Sequence, residues 1–162
     1  MGLFRKFLVG SIGALSLVGL GSVSVGAHSD TLIEFDSMTA ITGAAVGVAN
    51  DRGIVGGSKP WVIRSGRGEV DGNGDVDVRV KGLVIPVAPF NGTNPVLFFR
   101  ATVSCLTGTG TVNVSTGLFP ASPEGDAKID GHVTLPATCN DPQVFVVSPG
   151  GAWFAMSNGG DD

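Results

Sequence analysis

Polar and apolar residues alternate along much of the chain beyond residue 30, and this period of two predicts β-strands with one solvated face. The clearest example is Asp75–Lys81, in which three valines alternate with charged residues. The preceding Asp71-Gly72-Asn73-Gly74 is typical of a tight turn, because Gly and Asn tolerate positive φ angles. The pattern therefore predicts a hairpin over residues 68–85 whose valines Val76, Val78 and Val80 face the core.

Further strands are predicted wherever alternation or a short apolar run recurs between Gly- and Pro-rich turns. They fall at residues 32–37, 45–49, 61–64, 96–106, 111–115, 127–135, 144–147 and 152–157. No window shows helical spacing over three turns. About eight strands without crossover helices predict an all-β fold, an antiparallel β-sandwich of Ig-like or jelly-roll-like Greek-key type, with a small β-barrel as the alternative.

The first 27 residues have the organisation of a signal peptide. Two basic residues, Arg5 and Lys6, precede an apolar run that closes on Val25-Gly26-Ala27. This arrangement predicts cleavage between Ala27 and His28. We therefore expect a secreted, extracellular protein in which residues 28–162 form a single domain.

Charge narrows the classes of partner. Cleavage would remove two of the 10 Lys and Arg residues, leaving 8 against 14 Asp and Glu and a formal net charge of −6. An acidic chain of this kind is a poor ligand for nucleic acid, which is bound through Lys and Arg. No later stretch approaches the ~20 apolar residues that span a bilayer, so no membrane association is expected after cleavage.

Cys105 and Cys139 are the two cysteines of the chain. An even number of cysteines in an oxidising compartment predicts a disulfide between them. Closing a loop of this length stabilises a fold by about 4 kcal/mol in the chain-entropy model.

Two metal sites are weaker alternatives to a protein without cofactors. Cleavage would make His28 the N-terminal residue, and its amine and imidazole together with His132 form a ligand set that suits copper. The acidic hairpin turn also resembles the start of a calcium loop, although Val76 and Gly82 stand where such loops have Gly and Glu. The calcium candidates are Asp71, Asn73, Asp75 and Asp77.

Candidate binding and modification residues are few. Of the two tryptophans, Trp153 is the better candidate for an exposed ligand-binding ring, because the neighbouring Phe154 and Met156 are expected to face the core. Asn91 and Asn113 each begin an Asn-x-Ser/Thr motif, which matters only in a eukaryotic secretory route. The chain has two histidines and no Gly-x-Ser-x-Gly motif, so no catalytic residues are predicted.

Four runs of sequence resemble a family of small, uncharacterised exported bacterial proteins. They are Pro60–Ile63, Gly92–Val96, Phe99–Ala101 with Val103–Leu106, and Ser148–Ala155. The resemblance implies export and a disulfide, but no activity. The prediction is a secreted, non-catalytic structural or binding protein whose ligand is an unknown extracellular glycan or protein. The alternative is a secreted copper-binding or copper-redox protein.

Overall fold

Ten β-strands form in the part of the chain that the computed structural model describes, residues 30–159. The predicted signal peptide of residues 1–27, its cleavage site and His28 lie outside the described residues. The strands are β1 Thr31–Phe35, β2 Met38–Ala40, β3 Ser65–Asp71, β4 Asp75–Lys81, β5 Phe98–Thr107, β6 Gly110–Ser115, β7 Phe119–Pro120, β8 Ala127–His132, β9 Asn140–Val147 and β10 Trp153–Ser157.

The strands assemble into two antiparallel sheets. One sheet has the order β1-β3-β4-β8, and the six-stranded sheet has the order β2-β10-β9-β5-β6, with β7 paired to β5. The chain passes repeatedly between the two sheets, so strands that are neighbours in space are often distant in sequence. The antiparallel β-sandwich prediction is confirmed, with ten strands rather than about eight and two separate sheets rather than a barrel.

The four-stranded sheet follows the alternation of its sequence. Val76, Val78 and Val80 on β4 are at most 2% exposed and face the core, as the hairpin prediction requires. The turn is held by the Asp71 carboxylate, whose Oδ1 accepts hydrogen bonds from the amides of Asn73 and Asp75 at 2.9 and 3.0 Å. The opposite face of this sheet carries charged residues exposed to solvent.

The central strands of the six-stranded sheet, β5, β9 and β10, have runs of residues that are buried on both faces. Val103 pairs with Val144 on the inner face, and both residues are fully buried. Thr102 pairs with Phe145 on the outer face, where Phe145 is also fully buried. Residues 42–57, which we call the covering segment, bury this outer face. The segment is hydrogen-bonded to β10 at Trp153 and to Asn113 on β6.

Two predicted strands are absent from the described residues. Residues 45–49 follow a short 3-10 turn at Gly43–Ala45, and their sole bridge joins Ala49 to Val55. Residues 61–64 make one isolated bridge, from Val62 to Val84. Both segments connect or cover the sheets instead of lying along a sheet edge, so their apolar residues pack without a continuous ladder.

The predicted disulfide between Cys105 and Cys139 is confirmed. Cys105 lies on β5, where it is fully buried in the core between the sheets. Cys139 lies in the connection just before β9 rather than within a strand. The bond therefore ties the β8–β9 connection to the centre of the six-stranded sheet.

Candidate functional site

Three aromatic rings from distant parts of the chain form one cluster at the edge of the core. The Trp61 and Phe154 rings are stacked, with centroids 4.1 Å apart and planes inclined by 25°. Phe99 meets both rings edge-on, at centroid distances of 6.3 and 5.8 Å. Stacked and edge-on contacts are favourable arrangements of aromatic quadrupoles, so the cluster is a rigid unit.

A cleft of about 330 Å³ opens beside this cluster, and we call it the aromatic cleft. Trp61, Phe154, Phe90 and Val96 contribute apolar surface to its lining. Lys59 and Ala152 are among the other lining residues. The walls are thus mainly apolar, and a single charged side chain lies among them.

The side of the cleft that carries Phe90 is held by hydrogen bonds within residues 85–96. The amide of Gly92 donates to the carbonyl of Ile85 at 2.8 Å, and the Thr93 hydroxyl donates to the carbonyl of Phe90 at 2.8 Å. Asn94 is only 7% exposed, and its side-chain Nδ2 donates to the carbonyl of Val96 at 2.8 Å. This loop therefore has a defined shape before any ligand arrives.

The lining also includes a glycine, Gly57, at the end of the covering segment. The Gly57 amide donates to the carbonyl of Trp153 at 2.9 Å, which fixes its backbone against β10. A Cβ atom at this position would lie 3.0 Å from the Phe154 ring and 3.3 Å from the Trp61 indole nitrogen. Glycine allows the backbone to approach the two stacked rings closely.

The four sequence runs quoted above meet around this cleft. Trp61 comes from the first run, Val96 from the second, Phe99 from the third and Phe154 from the fourth. Sequence reasoning did not identify the cleft, because each run by itself is a short apolar segment next to a turn. The concentration of Trp, Phe and Pro in these runs is the signal that they share.

Trp153 is not the exposed ring that was predicted. Its side chain is 4% exposed and meets Phe145 edge-on at a centroid distance of 5.9 Å. A register shift between Trp153 and Ala155 moves Phe154 to the inner face and leaves Trp153 on the outer face. The covering segment then buries Trp153, so the prediction of an exposed ligand-binding ring was wrong.

The copper candidate His132 lies at the end of β8, where its ring is exposed. Its Nδ1 atom is 3.0 Å from Oδ1 of Asp75, the residue opposite it on β4. Asp30, at the start of the described residues, accepts a hydrogen bond from the Gly72 amide at 2.7 Å. The first described residue, Asp30, therefore lies at the hairpin turn, at the same end of the four-stranded sheet as His132.

The calcium candidates are engaged in other contacts. Asp71 holds the turn, Asp75 contacts His132, and Asp77 pairs with Arg79 at 3.3 Å. Asp71, Asp75 and Asp77 line a shallow depression of about 250 Å³ together with other acidic residues. Over residues 30–159, no three His, Cys, Asp or Glu side chains are arranged to hold a metal ion.

Asp126 is the acidic group with a distinct electrostatic environment. The Gly82 amide donates a hydrogen bond to its Oδ1 at 2.9 Å, and the Lys81 ammonium lies 3.2 Å from its Oδ2. These contacts lower the pKa of Asp126 below its usual value of 3.8, with the Gly82 hydrogen bond as the largest cause and burial opposing it. The carboxylate joins β4 to the connection before β8.

The two glycosylation motifs occupy different settings. Asn91 lies on the exposed loop beside Phe90, with a positive φ of 47°. Asn113 lies on the edge strand β6, and its side-chain Nδ2 donates to the carbonyl of Arg52 at 2.9 Å. A glycan on Asn113 would interrupt this contact with the covering segment.

Comparison with protein-family models, curated proteins and solved structures yields no significant match. The resemblance to small exported bacterial proteins therefore stays a prediction. Between residues 30 and 159, no helix has the length and apolar character needed to cross a membrane. The functional conclusion rests on the geometry of the chain itself.

Proposed function

We propose that this chain is a secreted, non-catalytic binding protein and that the aromatic cleft is its binding site. The observation that carries the proposal is the cleft itself: an apolar recess built on the stacked Trp61 and Phe154 rings. Export is supported by the signal-peptide pattern of residues 1–27 and by the disulfide, which is typical of proteins from oxidising compartments.

The size and chemistry of the cleft match those of ligand sites. Small-molecule pockets are typically ~300–1,000 Å³, mostly apolar and equipped with a few polar groups, and the cleft of about 330 Å³ is at the lower end. The internal hydrogen bonds of the loop that carries Phe90 reduce the ordering that a ligand would have to impose. A preformed apolar recess of this size has room for at least one ring or one branched aliphatic group.

The lining of the cleft favours binding over catalysis. In the part of the chain that the structure describes, no carboxylate, imidazole or thiol lines it. General acid–base and nucleophilic mechanisms rely on such groups, placed within hydrogen-bond distance of the reacting atom. The polar side-chain groups of the lining are those of Ser58, Lys59 and the Trp61 indole, and within residues 30–159 no hydrogen bond joins the Lys59 ammonium to the Ser58 hydroxyl.

The test uses the exported protein with 3-phenylpropanamide, a neutral single-ring probe, followed by amide chemical shifts. We expect the largest shifts at Ser58, Val96 and Ala152, which line the cleft. Ala152→Leu should fill the cleft and abolish these shifts, and Phe90→Ala should weaken binding. Phe98→Ala is the control, because Phe98 is 41% exposed outside the cleft. Shifts scattered over the surface, or unchanged by Ala152→Leu, would refute the proposal.

A second candidate function is copper binding through His28 and His132. His28 precedes Asp30 by two residues, a separation that spans at most ~7 Å of extended chain. Asp30 bonds to Gly72 in the hairpin turn, and His132 lies at the same end of the four-stranded sheet, on the opposite edge strand β8. Amine and imidazole nitrogens are suitable ligands for copper.

Copper binding is tested by titrating Cu²⁺ into the exported protein after its N-terminal residue has been sequenced. The candidate predicts that His28 is the first residue and that His132→Ala markedly weakens the affinity. A different N-terminus, or an affinity unchanged in His132→Ala, rules this function out.

A further inference from the structure

We infer that the ligand of the aromatic cleft carries a carboxylate next to its apolar group and that Lys59 recognises this carboxylate. This inference rests on the proposed function and adds the chemical class of the ligand. It starts from the charge distribution around the cleft.

Lys59 differs from nearly every other cation among the described residues. Five cations pair with carboxylates: Arg52, Arg64, Arg79, Lys81 and Lys128. Arg100 donates two hydrogen bonds to the Thr116 carbonyl. Within residues 30–159, only Lys59 and Arg67 have neither kind of partner.

The surroundings of the two unpaired cations separate them. Arg67 lies on the outer face of the four-stranded sheet, in a depression that is also lined by Glu34, Asp36 and Glu69. Acidic neighbours therefore compensate its charge at longer range. Lys59 lines a cleft in which the described lining contains no acidic side chain.

An uncompensated ammonium at the side of an apolar recess selects for an anion. Charge interactions strengthen near a low-dielectric surface, because less water screens them. Lys59 is exposed, so the carboxylate keeps part of its hydration while the apolar group occupies the cleft. An exposed pair of this kind improves affinity by about two- to five-fold.

The same chemistry can reach the cleft from two sources. One is a free acid such as 3-phenylpropionate, and the other is the C-terminal residue of a peptide. In both, a carboxylate lies a few bonds from a ring or branched aliphatic group. The volume of about 330 Å³ has room for an apolar group of this size.

The experiment compares 3-phenylpropionate with its neutral amide at low ionic strength, using amide chemical shifts of the exported protein to obtain both affinities. We expect the acid to bind about two- to five-fold more tightly than the amide. Lys59→Gln should remove this preference by weakening the binding of the acid more than that of the amide. Arg67→Gln is the matched control, since it removes the other unpaired cation and should preserve the preference.

The outcomes separate this inference from the proposed function. Equal affinities for acid and amide in the unmodified protein would overturn the role of Lys59 while the cleft remains a binding site. Absence of binding by both probes would overturn the proposed function as well. A third probe, the peptide acetyl-alanyl-phenylalanine, distinguishes the two sources of the carboxylate. If it binds more tightly than 3-phenylpropionate, the source is a peptide C-terminus, and if it binds more weakly, the source is a free acid.

Discussion

The outer faces of the two sheets differ in what covers them. On the four-stranded sheet, cross-strand neighbours Glu34, Glu69, Asp77 and Asp130 form a row of carboxylates in direct register. On the six-stranded sheet, the equivalent positions include Phe145, Val147 and Trp153, which are 4% exposed or less. The first face is exposed to solvent, and residues 42–57 cover the second.

This difference explains where the sequence pattern can be interpreted. A strand with one solvated face needs polar residues there, so alternation appears and identifies the core side. A strand buried on both faces needs apolar residues at successive positions, as in Val144–Val147. The covering segment also contains a buried cation, Arg52, whose guanidinium pairs with Asp141 at 2.6 Å.

The aromatic cleft belongs to the region that alternation does not describe. Gly57, at the end of the covering segment, and the loop that carries Phe90 form two of its sides. The charged face of the other sheet was readable from sequence, yet the proposed site lies elsewhere.

Among the substitutions that leave the protein folded, the largest effect is expected from Phe145→Ala. If the outer face of the six-stranded sheet is a true core, removing this fully buried ring should lower the free energy of unfolding by about 3–5 kcal/mol. Denaturant titration measures the loss, and Phe98→Ala, at a partly exposed ring, should cost much less. A loss below about 1 kcal/mol for Phe145→Ala would show that the covering segment does not create a packed layer.

Removing the disulfide should also destabilise the six-stranded sheet strongly. Replacing both Cys105 and Cys139 with Ala is expected to lower the free energy of unfolding by about 2–5 kcal/mol. The unmodified protein after reduction serves as the comparison and should lose a similar amount. Thiol titration of the denatured, non-reduced monomer should find no free thiol, and a reactive thiol there would contradict the pairing.

Asp126→Asn should reveal a pH-dependent contribution at the edge of the four-stranded sheet. Because the pKa of Asp126 is lowered in the folded state, its carboxylate contributes stability above the usual value of 3.8 and loses it as pH falls through the folded pKa. The difference in unfolding free energy between the two proteins should therefore be steady near neutral pH and shrink in acid. A difference that grows in acid would contradict this assignment.

The smallest effect is expected from Asp77→Asn on the charged face. Asp77 is half-exposed and pairs with Arg79 in solvent, so the substitution should change the free energy of unfolding by less than about 0.5 kcal/mol. The neighbouring Val78→Asp buries an unpaired carboxylate and should prevent folding. A chelator should leave the melting temperature unchanged, and a calcium-dependent shift would restore the calcium alternative.

The sequence by itself determined the parts of this protein that depend on local pattern. The β3–β4 hairpin follows from its turn residues and alternating valines, and the Cys105–Cys139 bond follows from an even cysteine count. The all-β sandwich follows from many short strands without helical periodicity. In each case, neighbouring residues or a simple pairing rule carried enough information.

Only the tertiary structure decided which faces are covered and where the cleft lies. Trp153 lies on the outer face of its sheet, but it was assigned to the surface because the covering segment, about 100 residues earlier, leaves no mark on the sequence around it. The cleft joins Trp61, Phe90, Val96 and Phe154 from three separate segments. Such sites arise from contacts between residues far apart in sequence. The alternation of polar and apolar residues in a strand indicates only which of its faces is solvated.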